Sequence, residues 1–295
     1  MRPKVTLFAE VSAQVGSGHR MRQRAVHECF IARGVSVSVV EYEGRLEPQL
    51  AVSRSRLADI AVFDAATDIN DALRAVEDTG VMTCTLDWFG GSRPDVAITI
   101  YPHGRTDGRL RSYVGAEWIM LRNDILIERR TPAPPQAFDV VICLGSGDIK
   151  GQTRGLAANL TQKGLHVAAV FGPYASRSGY VENFVEIVDP PALGRLMRSG
   201  ALVVANGGTC LLEAVALGVP CLAVPQTPAE ASLASWLGVG QLQPDGGNFD
   251  TLRGSIRENC RLDEIENSHG FCDGGGGERL VSALVETWQE ELGNR

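Results

Sequence analysis

The chain has 295 residues, 44% of them hydrophobic and 21% charged, with a formal net charge of −7. That composition is of a soluble globular protein, and the length favours two domains over one. An acidic balance argues against nucleic acid or an anionic membrane as the main partner. Lysine occurs only at 4, 150 and 163, so the basic residues are nearly all arginine, suited to bidentate phosphate or carboxylate contacts. The cysteines at 29, 84, 143, 210, 221, 260 and 272 have no C-x-x-C spacing, which fits a reducing compartment and no zinc site. Met1 to Lys4 leads straight into a strand, and no apolar run reaches the length of a membrane span. A cytoplasmic protein without signal peptide or stable membrane insertion is expected, a monomer being favoured.

Val5 to Ala9 reads as the first strand. Gly16-Ser17-Gly18-His19-Arg20-Met21-Arg22 follows as a glycine loop, then a helix to Arg33 stopped by Gly34, then a strand at 35–40. Strand, glycine loop, helix, strand is the opening of a doubly wound sheet. The loop lacks the third glycine of a dinucleotide fingerprint and carries His19 where a small residue would stand. A histidine at the carboxyl end of the first strand lies where such folds bind ligands, which makes His19 a candidate base or phosphate contact. A surface histidine beside a helix start is the alternative. Arg22, one turn on, could face the same site or be solvated.

Residues 57–64 read as a helix end and a strand, 71–79 as a helix, and 81–86 and 96–100 as strands. Asp64 and Asp87 close two of these strands, where each could meet a ligand or cap a turn. His103 is a weaker candidate of the same kind. Residues 128–137 hold three prolines in four positions, a stiff connector that marks the domain boundary. The pattern then restarts with a strand at 138–144, a second glycine loop at Gly145-Ser146-Gly147-Asp148, a helix from 155, and strands at 167–171 and 185–188.

Ala201 to Ala205 is a short buried strand, followed by Asn206-Gly207-Gly208-Thr209, a helix stopped by Gly218, and a strand at 221–224. Two glycines before a helix N-terminus let backbone approach a ligand and offer free N–H groups to a phosphate. Thr209 is the expected N-cap. Glu213, one turn further in, could accept hydrogen bonds from a ribose diol. Alternatively the stretch is a connection that needed a small turn, with Glu213 solvated. After the glycine run at 274–277, residues 278–292 carry apolar residues at helical spacing. This last helix could pack back across the boundary.

Three motifs, G-S-G-H-x-x-R around His19, N-G-G-T-x-x-x-E-A-x-A-L-G-x-P from Asn206, and D-G-G-G-G-E-R from Asp273, together resemble one family. It is the UDP-sugar hydrolase of pseudaminic acid biosynthesis, which releases a 2,4-diacetamido-2,4,6-trideoxy sugar. That family is related to the transferase that forms lipid II from UDP-N-acetylglucosamine. Val114 to Arg122 also resembles the stretch before the family's linker, and the similarity runs in register from about residue 5 to 285. The resemblance implies an α/β GT-B fold, two Rossmann-like domains with parallel sheets facing a cleft. The expected parts are an N-terminal domain at 1–128, a nucleotide-binding domain at 137–277 and a C-terminal helix at 278–295. Carried over, His19 is the base and Glu213 the ribose carboxylate. Gly16, Gly18, Gly145, Ser146, Asn206, Gly207, Gly208 and Thr209 hold the nucleotide diphosphate.

Sugar contacts would come from Arg22 and from positions 229 and 230. There the family has an Asn-Gln pair and this chain has Ala229-Glu230. Amide to carboxylate swaps donor for acceptor, so Glu230 would suit a hydroxyl or an amine. The expected partner is a small nucleotide sugar, with no cofactor or metal, because glycine N–H groups and a helix dipole can carry the diphosphate charge. The leading expectation is hydrolysis by water that His19 activates, with inversion. The runners-up are a glycosyltransferase using the same site and a non-catalytic nucleotide-sugar binding protein.

Overall fold

A computed structural model describes residues 2–16, 18–87, 90–91, 93–101, 111–175, 184–251 and 273–293. The chain divides into two compact units, 1–12 with 19–122 and 273–295, and 13–18 with 123–272.

The first unit is built on β1 (Lys4–Glu10), β2 (Ser36–Tyr42), β3 (Ile60–Asp64), β4 (Met82–Leu86), β5 (Val96–Thr99) and β6 (Arg111–Val114). Their spatial order is β2-β1-β3-β4-β5-β6, and every pairing is parallel. Helices α1 (Gly18–Ala32), α2 (Pro48–Ser55) and α3 (Asn70–Glu77) connect the first four strands. All residues of β3 and β4 are buried, whereas edge strand β2 is largely accessible. That fits the unbroken apolar run Ile60 to Phe63 in β3 and the alternating Ser and Val at the start of β2. Phe8 and Phe63 stack on adjacent strands, 4.8 Å between centroids, within a core that includes Leu46, Leu73 and Val76. Each fully buried aromatic there is worth about 3–5 kcal/mol against alanine. The order reverses at β1, which has β2 on one side and β3 on the other, so the crevice at the carboxyl ends of β1 and β3 is a ligand position of this fold type.

The second unit contains α4 (Asn123–Arg130), β7 (Phe138–Cys143), α5 (Thr153–Gln162), β8 (Val167–Phe171), β9 (Val185–Val188), α6 (Leu193–Arg198), β10 (Gly200–Ala205), α7 (Thr209–Ala216), β11 (Cys221–Ala223) and α8 (Pro228–Trp236). Its sheet, also parallel throughout, is ordered β11-β10-β7-β8-β9. Val140, Ile142, Leu156, Leu160, Phe171, Val204 and Leu222 fill its core. The order reverses between β7 and β10, placing the loops after those two strands side by side.

The division falls after Arg122, ahead of the proline connector. Residues before the prolines belong to α4, which is fastened to the second unit: the Arg198 guanidinium donates to the Glu128 and Thr131 carbonyls at 2.6 and 2.9 Å. The last helix, α9 (Gly276–Gly293), belongs to the first unit. It starts two residues earlier than expected, and Gly276 lies against Ile119, where a Cβ would meet the Ile119 carbonyl oxygen at 2.1 Å. Leu280, Val281, Leu284 and Trp288 are buried. Arg33 donates to Ser282 at 2.7 Å and Arg111 to Thr287 at 3.0 Å, tying α9 to the body of the unit.

Candidate functional site

In the first unit the carboxyl ends of three strands meet the first turns of α1. His19 Nδ1 lies 2.5 Å from Asp64 Oδ1. Arg22, one turn along α1 and so on the same face, donates Nε to Asp64 Oδ2 at 2.7 Å and Nη2 to Asp64 Oδ1. Its Nη1 donates to Asp87 Oδ2. Asp64 closes β3 and its side chain is fully buried. Asp87 follows β4 with a φ of +50° and also accepts the Thr99 hydroxyl at 2.8 Å and the Ile100 N–H at 2.9 Å.

Burial alone would raise the Asp64 pKa. The adjacent Arg22 cation and His19 outweigh it and hold the carboxyl at about 2. Burial likewise opposes the Arg22 charge, but Asp64 and Asp87 keep its pKa well above the ordinary value. The cluster therefore contains a fixed anion at neutral pH. A carboxylate on Nδ1 selects the imidazole tautomer with hydrogen on that nitrogen, leaving Nε2 as the basic atom. The His19 side chain remains 19% exposed, so the ring is anchored at one nitrogen without being entombed.

Arg22, expected to contact the sugar, has its guanidinium taken up by two carboxylates of this cluster. Asp64, expected as a ligand contact or a turn cap, pairs with two side chains of α1. It joins His19 to Arg22. The signal available in the sequence is an aspartate closing a wholly apolar strand, where a charge needs a partner. His103 lies outside the described residues.

The second cluster lies in the second unit, where the loops after β7 and β10 adjoin. A Cβ on Gly145 would stand 3.3 Å from Asn206 Nδ2, and the Gly145 φ of +86° excludes most side chains. Segment 13–18 joins the same group. A Cβ on Gly16 would come within 2.9 Å of Ser146 Oγ, and one on Gly18 within 3.5 Å of Thr209 Oγ1. Gly16, Gly18, Gly145, Ser146, Asn206, Gly207, Gly208 and Thr209 are thus brought together around one turn. Gly207 is pressed on the start of α8, where any Cβ would stand 2.3 Å from the Glu230 carbonyl oxygen.

The N-cap of α7 is Gly208, not Thr209, and it supplies no side-chain hydrogen bond to the first turn. A glycine cap leaves that helix end open to close approach by a ligand. Glu213 is only 2% exposed on α7, so it is not a solvated surface carboxylate. Asp148, in the second glycine loop, accepts the Gln152 and Thr153 N–H groups at 2.9 and 3.0 Å and thereby caps α5.

Positions 229 and 230, expected to contact the sugar, lie at the start of α8. Ala229 is exposed. Glu230 turns back on its own helix start: Oε2 accepts the Gln226 N–H at 2.6 Å and Oε1 accepts Asn206 Nδ2 at 2.7 Å. Its backbone N–H meets Thr227 Oγ1 at 3.2 Å, with Pro228 at the first helical position. Thr227-Pro228-Ala229-Glu230 is therefore a capping box at the start of α8. Burial pushes the Glu230 carboxyl up despite these bonds.

Among the described residues, no three or more His, Cys, Asp or Glu side chains are grouped to hold a metal ion, and no helix is long and apolar enough to cross a membrane.

No protein-family model matches the chain. The spore coat polysaccharide biosynthesis protein SpsG of Bacillus subtilis (strain 168) is 24% identical over 226 residues, 69% of this chain. The matched stretch spans 66% of that relative, just under two thirds of its length. Arabidopsis thaliana UGT89C1 complexed with UDP-L-rhamnose is similar in structure, with TM-score 0.62 and 12% identity over 98% of this chain and 99% of that one. MurG of Acinetobacter baumannii is similar with TM-score 0.60 and 14% identity over 96% and 99%. Two parallel Rossmann-like sheets, each with its order reversing at the first strand, and these likenesses over nearly the whole chain define an α/β protein of the GT-B fold.

Proposed function

We propose that the chain is a metal-independent glycosyltransferase that takes its sugar from a nucleotide donor, UDP-linked by preference. The observation that carries this is the His19–Asp64–Arg22 cluster at the carboxyl ends of β1, β3 and β4. His19 Nε2 takes the proton of an acceptor hydroxyl as its oxygen attacks the anomeric carbon from the side opposite the leaving group, inverting that centre. Asp64 positions the ring and stabilises the imidazolium that forms. Arg22 holds Asp64 and is a positioning residue, not a sugar contact.

In the second unit, N–H groups at the Gly207–Thr209 turn and the N-terminus of α7 receive the diphosphate and stabilise its charge as it leaves. Glu213 accepts the ribose hydroxyls. Similarity to a polysaccharide-biosynthesis protein and to a structure holding UDP-L-rhamnose supports a nucleotide-sugar donor.

Hydrolysis is the second reading. It is favoured by the likeness of the His19, Asn206 and Asp273 motifs to the UDP-sugar hydrolase family. The same atoms serve, with water in place of the acceptor. A panel of UDP-sugars incubated with and without alcohol acceptors separates the two. UDP release that needs an acceptor establishes transfer, and equal release without one establishes hydrolysis. UDP binding with no turnover under any condition overturns both in favour of a binding protein.

A further inference from the structure

Cys143 closes β7 and Cys210 lies in the first turn of α7. Parallel pairing of β7 with β10 sets Cys143 opposite Ala205, and the Asn206 N–H donates to the Cys143 carbonyl at 3.3 Å. The backbone thereby brings the two thiols together, with 3.4 Å between the Sγ atoms and the Cys143 S–H directed at Cys210. Neither is in a disulfide; Cys143 is buried and Cys210 half-buried. Cys210 is the second residue of α7, whose N-terminal end favours negative charge, and a thiolate there also receives the Cys143 hydrogen bond.

Two other described cysteines, Cys29 and Cys84, have different surroundings. Burial and neighbouring Glu278 push the Cys29 thiol up to about 11, and Cys84 is fully buried and pushed up further.

We propose that Cys143 and Cys210 form a peroxide-sensitive dithiol that closes into a disulfide joining the two glycine loops of the second unit. This goes beyond the sugar-transfer reading and does not rest on it. The Cys210 thiolate attacks one oxygen of a hydroperoxide. The O–O bond breaks, and the leaving oxygen picks up a proton and departs as water or an alcohol. Cys210 becomes a sulfenic acid. The Cys143 sulfur then attacks the Cys210 sulfur, the S–O bond breaks, and hydroxide leaves with the Cys143 proton as water. Two thiols are oxidised by two electrons in all, and one hydroperoxide is reduced.

The experiment treats the folded full-length chain with hydrogen peroxide, blocks remaining thiols, and maps cysteine peptides without reduction. The expected result is the loss of two free thiols, one linked pair containing Cys143 and Cys210, retention of Cys29 and Cys84 as thiols, and reversal by dithiothreitol. In Cys143→Ser the sulfenic acid on Cys210 has no resolving partner and accumulates as a dimedone adduct, whereas Cys210→Ser yields neither linkage nor adduct. The wild-type measurement stands even where a variant folds poorly. Cys143 and Cys210 remaining reduced while Cys29 or Cys84 is oxidised, or either pairing with a different cysteine, overturns the proposal. So does a folded Cys143→Ser variant with no adduct on Cys210.

Discussion

Replacing Asp64 by asparagine removes one charge and keeps the side chain's size. The Asp64 carboxyl ordinarily titrates at 3.8 and is held at about 2 in the folded chain. That difference corresponds to about 2 kcal/mol of folded-state stabilisation. Because the folded pKa is the lower one, the contribution is complete above 3.8 and drains away as pH falls toward 2. The substitution would also leave the buried Arg22 cation with Asp87 alone, a loss of the kind that costs about 3–5 kcal/mol. The expected outcome at pH 7 is therefore a loss of about 2–5 kcal/mol, with a shallower fall in stability on acidification than wild type shows. Turnover should fall about 10²–10⁴-fold, because an amide neither selects the Nδ1–H tautomer nor stabilises an imidazolium. UDP affinity should stay within a factor of about 2, a change of about 0.4 kcal/mol or less, since the turn proposed for the diphosphate belongs to the other unit. Denaturant titrations at several pH values, UDP calorimetry and UDP release from a turned-over donor measure the three quantities. A variant with wild-type turnover and an unchanged acid limb would refute the reasoning.

Other substitutions test neighbouring steps. His19→Asn should abolish turnover while leaving UDP binding and the melting temperature close to wild type; loss of binding in step with turnover would place His19 in the nucleotide site instead. Arg22→Lys keeps the charge but cannot reach both Asp64 and Asp87 with a planar fork, so kcat should fall with little change in KM. Gly207→Ala forces a Cβ onto the Glu230 carbonyl oxygen; about 1–3 kcal/mol of stability and most UDP affinity should be lost, as read by melting and calorimetry. Glu230→Gln should fold, because glutamine also serves in a capping box and the Asn206 amide can turn to accept its NH2. The raised Glu230 carboxyl makes folding progressively less favourable as pH rises through 4.5 and above, so the variant should gain stability over wild type toward neutral pH.

Much of this fold is legible in the sequence because apolar runs and glycine loops obey local rules. The central strands read correctly since both faces are covered, and the two strand–loop–helix openings fall at the points where each sheet reverses. Helix α2 escapes that reading although Glu47-Pro48 puts proline at its first position, and α8 escapes it although Thr227 to Glu230 spells a capping box. Asp64 reads only as a strand end because its partners lie 42 and 45 positions away. No spacing rule shows that pairing; it follows from β3 lying beside β1 in the sheet. Glu213 stays open between a ribose contact and a solvated side chain, and its burial is not legible because the apolar pattern of α7 runs nearly all round the helix, with burial from Leu211 to Leu217.

The position of Glu230 changes what its identity says about the substrate. Read as a replacement for a sugar-binding amide, the carboxylate points to a sugar that offers a hydroxyl or amine. In the structure one oxygen is held by Gln226 and the other by Asn206, both close to ideal hydrogen-bond length. A carboxylate so engaged acts locally. It starts α8 and braces the loop of Asn206, which in turn shapes the turn at Gly207 and Gly208. Glutamine keeps the Gln226 bond through its one carbonyl oxygen and meets Asn206 by its NH2 once the Asn206 amide turns to present its oxygen, so the exchange does not by itself report on the sugar. A direct test follows from the geometry. If Glu230 selects the sugar, Glu230→Gln will change the ranking of UDP-sugars in kcat/KM. If it braces the turn, the ranking will hold and UDP affinity will lose part of its pH dependence. The second outcome is expected, because the raised carboxyl sits where a Gly208 Cβ would lie only 3.2 Å from its oxygen, and its ionisation at higher pH opposes an incoming diphosphate.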